Sequence, residues 1–212
     1  MVPKRKDEMP KEGTYEEVFS PTLYFDKKFN KDAVKIFPGE YYVTGRDMVL
    51  VTVLGSCVAA CIRDRASGIG GMNHFMLPGD SDGGGLLSSS SRYGAYAMEM
   101  MINELLKMGA KRNNLEAKIF GGGSVLRGFK VGNVGERNVH FTLAYLETEN
   151  ITVAAQDVLE NYPRKIYFFP DSGRVLVKKL RVVHNNTIVE REQMYGTRLK
   201  TADVQGDVEL FE

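Results

Sequence analysis

Apolar positions fall into two periods along this chain. From residue 38 onward, Tyr41–Val43, Met48–Val53 and Val58–Ile62 are short blocks rich in β-branched residues, and they predict strands. Asp64-Arg65-Ala66-Ser67-Gly68 interrupts them with turn residues, and the apolar pattern returns over Ile69–Leu77, which predicts a β-hairpin. Pro78–Ser91, with Gly83-Gly84-Gly85, reads as a glycine-rich loop. The period then changes. Met98, Met101, Ile102, Leu105 and Met108 recur at spacings of three and four, predicting a helix capped near Ser91 and stopped by Gly109, with its methionines in the core. Ala117–Phe120 predicts a strand running into Gly121-Gly122-Gly123. Val139, Leu143 and Leu146 predict a second helix ending near Glu149, and Ile151–Ala155 a further strand. Ile166–Phe169 and Arg174–Val183 predict a hairpin around Pro170-Asp171-Ser172-Gly173, and Thr187–Glu190 an edge strand.

Strands and helices are both predicted along the chain. Residues 1–36 are charged and poor in aliphatics, and read as an extension with Leu23–Phe25 docking on the body. Residues 37–191 form one domain, and 192–212 read as a polar tail. The 28 Lys+Arg against 27 Asp+Glu leave no electrostatic footprint for nucleic acid or an anionic membrane. The most apolar stretch, Met48–Ile62, is broken by Thr52, Gly55 and Ser56 and is too short to span a bilayer. Met1–Glu8 is not followed by an apolar core, so no secretory signal is expected there. Two cysteines make no disulfide framework, which favours a reducing, cytoplasmic setting.

Chemistry centres on Cys57 and His74. A thiol beside an imidazole is a minimal apparatus for attack on a carbonyl. Gly55 and Ser56, just before the cysteine, allow a tight backbone whose N–H groups can hold an oxyanion. Whether the two side chains meet depends on hairpin register. A four-residue turn sets Cys57 opposite His74; a five-residue turn sets it opposite Phe75 and sends His74 to the other face. Buried packing is the ordinary role of a strand cysteine, and Cys61 is read that way. His140, in a helical pattern, and His184, at a strand end, read as ordinary histidines. Neither a zinc-type ligand spacing nor a phosphate-loop motif is present. Gly121–Gly123 is read as a close backbone approach and a glycine-walled slot for substrate. A redox pair of Cys57 and Cys61 is a further reading.

Several blocks occur in a fixed order: Leu54-Gly55-Ser56-Cys57-Val58, Gly70 through Pro78, Arg92-Tyr93-Gly94, Lys118 through Gly123, Gly132 through Asn138 and Pro163-Arg164-Lys165. In this order they resemble the chemoreceptor glutamine deamidases of the CheD family, from about Pro38 to Leu180. The resemblance implies a cytoplasmic enzyme that converts chemoreceptor glutamines to glutamate, some members also hydrolysing receptor methyl esters, without metal or organic cofactor. It implies an α+β fold of packed β-sheets flanked by helices, with a sandwich-like core, similar to the catalytic domain of the cytotoxic necrotizing factors. Cys57 maps to the nucleophile, His74 to the base and Thr52 to a third site residue, while Gly55, Ser56, Asn73, Gly121 and Gly122 are assigned to the substrate. The implied partners are receptor cytoplasmic helices and, where one exists, a CheC-type phosphatase; a mainly regulatory docking role on that phosphatase is the alternative function. The chain departs from the family at Asp157-Val158-Leu159-Glu160, where Asp-Leu-Gly-Gly is common.

Overall fold

The computed structural model describes residues 22–78, 89–124, 134–180 and 186–201. Ten strands form two five-stranded sheets. The first contains β1 (Thr22–Asp26), β2 (Lys31–Lys35), β4 (Val49–Leu54), β9 (Arg164–Phe169) and β10 (Arg174–Lys179), in that order; only the β2–β4 pair is parallel. The second runs β3 (Tyr41–Thr44), β6 (Gly70–Asn73), β5 (Val58–Asp64), β7 (Leu115–Gly121), β8 (Thr152–Val158), with only β7–β8 parallel. Three helices complete it: α1 (Ser89–Lys107), α2 (Val134–Thr148) and α3 (Asn186–Thr201).

Side-chain alternation along β5 explains the layering. Cys57, Ala59 and Cys61 point inward and meet Leu50, Leu54, Ile166 and Phe168 of the first sheet. Val58, Ala60 and Ile62 point the other way, under Met98, Met101, Ile102 and Leu105 of α1 and Val139 and Leu146 of α2. Both faces of β5 are thus covered, which is why its sequence is a continuous apolar run. A smaller cluster of Ala33, Val49, Val51 and Tyr167 covers the far face of the first sheet. The layers are helices, sheet, sheet.

Several expectations change. Residues 22–35, read as part of an extension, form β1 and β2, and Ala33 and Val34 are fully buried. The flanking Lys31, Asp32 and Lys35 hid this, because a charged five-residue strand shows little periodicity; its parallel pairing with β4 supplies the order. Leu23 and Phe25 lie exposed on edge strand β1. The β-branched run at Thr187–Val189 lies in α3, not in an edge strand; β-propensity is a weak, context-dependent preference. Ser91 falls inside the first turn of α1, which begins at Ser89, and Met108 is exposed past the helix end. Gly109, with φ +104°, does stop the helix as expected, and Ala110 N–H closes it on the Leu105 carbonyl at 3.0 Å. Residues 1–21, 79–88 and 202–212, and His184, lie outside the described residues.

Candidate active site

The hairpin adopts neither expected register. Arg63 pairs with Gly70 and Cys61 with Met72, and a bridge joins Val58 to Phe75. Asp64 caps the longer turn by accepting from the N–H groups of Ala66 (2.7 Å) and Ser67 (3.2 Å). Continued to the end of the strand, this register sets Cys57 opposite Met76 and His74 opposite Ala59. Cys57 and His74 are therefore diagonal neighbours on one face, a placement within reach of long side chains. That face is the interior between the sheets, which Thr52 enters from β4, flanked by Leu50 and Leu54.

Thr52 and His74 form a directed chain. The Thr52 Oγ1 lies 2.8 Å from both the Ile36 carbonyl and His74 Nδ1. A carbonyl only accepts, so the single hydroxyl proton goes to Ile36, and His74 Nδ1–H must donate to Thr52. Nε2 is then the ring nitrogen with the lone pair. It is buried and has no hydrogen-bond partner among the described residues. Burial pushes the His74 pKa down to about 3, so the ring is neutral at any physiological pH. A neutral imidazole with a fixed tautomer and a free lone pair is a general base waiting for a proton.

The segment before Cys57 is an anion cradle. The N–H groups of Gly55, Ser56 and Cys57 and the Ser56 hydroxyl all donate to the carboxylate of Glu192 on α3, at 2.8, 3.0, 3.2 and 2.7 Å. Three successive N–H groups on one anion form a backbone nest. Neighbours hold the loop from behind. Gly122 N–H donates to the Cys57 carbonyl (2.8 Å), Gly123 N–H to the Gly55 carbonyl (2.7 Å) and Asn138 Nδ2 to the Ser56 carbonyl (2.9 Å). Gly121 must be glycine here: its φ is +112°, and a Cβ would lie 2.2 Å from the Cys57 carbonyl oxygen. Gly121 and Gly122 therefore support the cysteine loop by close backbone approach.

Cys57 is fully buried, and its thiol pKa is raised, first by desolvation and then by the neighbouring Glu192 carboxylate. Asn73, expected beside the substrate, serves another purpose. Its Oδ1 accepts from Ala60 N–H (2.9 Å), and its amide reaches Met98 Sδ (3.2 Å), so it faces α1 on the opposite side from His74. Cys61 is buried core, as expected. It lies four extended residues from Cys57, a separation of roughly 13 Å that is too long for a disulfide. His140 is exposed on α2. No group of three or more His, Cys, Asp or Glu side chains fit to hold a metal ion occurs among the described residues. A cavity of about 550 Å³ adjoins His74, walled in part by Ile36, Gly39, Tyr42, Tyr93 and Tyr96. The residue that sequence reasoning missed is Glu192. It sits in a polar stretch with many other charges, and only its burial, at 4 % exposure, distinguishes it.

The chain matches the family described as CheD chemotactic sensory transduction over residues 76–179. It is 62 % identical over 197 residues to a probable chemoreceptor glutamine deamidase CheD of Thiobacillus denitrificans, covering 92 % of this chain and 98 % of that protein. It is 61 % identical over 198 residues to a protein of the same description from Methylobacillus flagellatus (92 % and 98 % covered). To one from Janthinobacterium sp. strain Marseille it is 60 % identical over 196 residues (92 % and 97 % covered). Among the described residues no helix is long and apolar enough to cross a membrane. Near-complete coverage at this identity, on a framework whose interior gathers Thr52, His74 and Cys57, places the chain in the CheD family.

Proposed function

We propose that this protein is a cysteine-dependent amidohydrolase that deamidates glutamine side chains on the cytoplasmic helices of chemoreceptors, giving glutamate and ammonia. The observation that carries the chemistry is the Ile36–Thr52–His74 chain, which leaves Nε2 unprotonated on the face that Cys57 shares. His74 Nε2 takes the thiol proton as sulfur attacks the amide carbon. The developing oxyanion is held by N–H groups of the Gly55–Cys57 loop, each such donor being worth roughly 3 kcal/mol in comparable sites. The imidazolium gives its proton to the departing amine, so ammonia leaves and a thioester remains. Water, deprotonated by neutral His74, then attacks the thioester; the C–S bond breaks and the proton returns to sulfur. The same steps cleave a methyl ester with methanol as leaving group.

The cytoplasmic setting and a scaffold similar to the cytotoxic necrotizing factor catalytic domain belong to this reading. Incubation with receptor cytoplasmic fragments, followed by peptide mass mapping, should show glutamine converted to glutamate. Cys57→Ala should abolish conversion while leaving the far-ultraviolet circular dichroism unchanged. Full conversion by that variant overturns the nucleophile assignment.

A further inference from the structure

The carboxylate in the cradle belongs to the protein itself. Glu192 brings the side chain of a glutamate, which is the product of the proposed reaction, against the N–H groups of Gly55, Ser56 and Cys57 and against the thiol. It arrives on a helix. Around it, α3 rests on the site at several points. Tyr195 meets Tyr93 of α1 through their hydroxyls, and its ring lies where a Cβ on Gly39 would come within 3.0 Å. Gly196 faces Met76, and the Arg191 guanidinium lies 5.9 Å from the Phe37 ring centroid. Glu192, Tyr195 and Gly196 share one helical face, at i, i+3 and i+4, while Gln193 and Met194 are exposed to solvent.

With α3 in this place Cys57 is fully covered, and no receptor side chain can reach it. We infer that α3 is an intramolecular product mimic: Glu192 occupies the carboxamide subsite, and the helix must leave before a substrate helix can enter. This rests on the deamidase reading for the identity of the subsite. The occlusion itself rests only on the contacts. The C-terminal helix thereby sets the basal rate, and any partner that draws α3 away activates the enzyme. Helix-borne glutamate also defines what the subsite accepts, namely a carboxamide or carboxylate on a two-methylene arm presented by a helix.

The full-length chain provides the test in three arms. Alkylation of Cys57 by iodoacetamide, located by peptide mapping, should be at least about tenfold faster in Glu192→Ala, since hydrogen bonds to a charged group typically contribute that much or more. An unchanged alkylation rate overturns the inference, whatever the receptor assay shows. Glu192→Gln sets a carboxamide in the cradle. It should convert to the acid over time at a rate independent of protein concentration, and not at all when combined with Cys57→Ala. An amide that stays intact while the same variant converts receptor glutamines overturns the product-mimic placement. Receptor deamidation by Glu192→Ala should be faster than by the unaltered protein. If alkylation accelerates but neither protein converts receptor glutamines, the deamidase reading fails and the occlusion stands.

Discussion

Among single residues, Thr52 carries the most information per atom. Its hydroxyl bridges a carbonyl that can only accept and an imidazole that must therefore donate, at 2.8 Å to each. Removing the hydroxyl leaves both the Ile36 carbonyl and His74 Nδ1–H without this partner in a dry interior and frees the ring to adopt the other tautomer, with its proton on Nε2. In the proposed mechanism Thr52 acts on the His74 ring and not on the substrate, which makes it a positioning residue. Thr52→Val keeps the shape and should lower kcat roughly ten- to a hundredfold, a fraction of the total acid–base contribution, with KM little changed. Thr52→Ser keeps the hydroxyl and should restore most of the loss. A merely structural role would reduce the folded fraction without that kcat-selective pattern, so steady-state kinetics on the receptor fragment separates the two. In the sequence Cys57 and His74 stand out as candidates because thiol and imidazole are rare in this chain and carry their own chemistry. Glu192 does not, because a carboxylate among 27 acidic residues has no local signature until the fold sets it against the Gly55–Cys57 N–H groups.

Among elements, the β8–β9 connection is where local sequence and backbone disagree. Leu159 and Glu160 adopt φ of +63° and +68°, a left-handed region that costs a non-glycine residue roughly 1–2 kcal/mol. The departure from a Gly-Gly pair noted in the sequence falls on these two positions. The surroundings force the geometry. Arg164 is fully buried, and its guanidinium binds Asp157 Oδ1 (2.8 Å), the Gly121 carbonyl (3.1 Å) and the Leu159 carbonyl (2.7 Å). Leu159 N–H closes the loop on the Gly121 carbonyl at 2.8 Å. The same arginine thus ties this loop to the glycine strip behind Cys57. Glycine at Glu160 relieves the strain and loses about 0.5–1 kcal/mol to unfolded-state entropy. Glu160 is exposed, so Glu160→Gly should stabilise the protein by up to about 1.5 kcal/mol, the difference of those two effects. A shift of the urea midpoint to higher denaturant at constant m-value checks this; a shift to lower denaturant shows that the loop is not strained. Hairpin β5–β6 shows the complementary limit of sequence reading. Both strands were legible from their apolar runs, but the register goes with a turn longer than either expected loop, in which the Asp64 carboxylate accepts from the N–H groups of Ala66 and Ser67.

The described residues are organised around an apolar interior between two sheets, and the response to pH follows from that. The α+β class followed from the family resemblance, while most strands were readable because covered strands are uniformly apolar. Strand β2 and helix α3 were not, since one is stabilised by a parallel neighbour and the other by an anion cradle far away in sequence. The interior holds His74 neutral. Its pKa sits near 3 in the fold against an ordinary 6.5, with burial the largest cause. Between those values the unfolded chain binds a proton that the folded chain refuses. Stability therefore falls as pH drops below about 6.5, by up to about 1.4 kcal/mol per pH unit, and His74 contributes no slope above that. Asp64 adds a separate acid loss. Although burial opposes it, backbone N–H groups led by that of Lys111 hold its carboxyl below the ordinary 3.8, so its stabilisation disappears only at more acid pH. The two windows can be told apart. Urea unfolding of the unaltered protein should weaken steadily from about pH 6.5 to pH 4.5, whereas His74→Gln, starting from its own stability, should be nearly flat across that range. Parallel slopes in the two proteins would mean that His74 titrates alike in the folded and unfolded chains, and the sealed interior that keeps its Nε2 lone pair free for Cys57 would not exist.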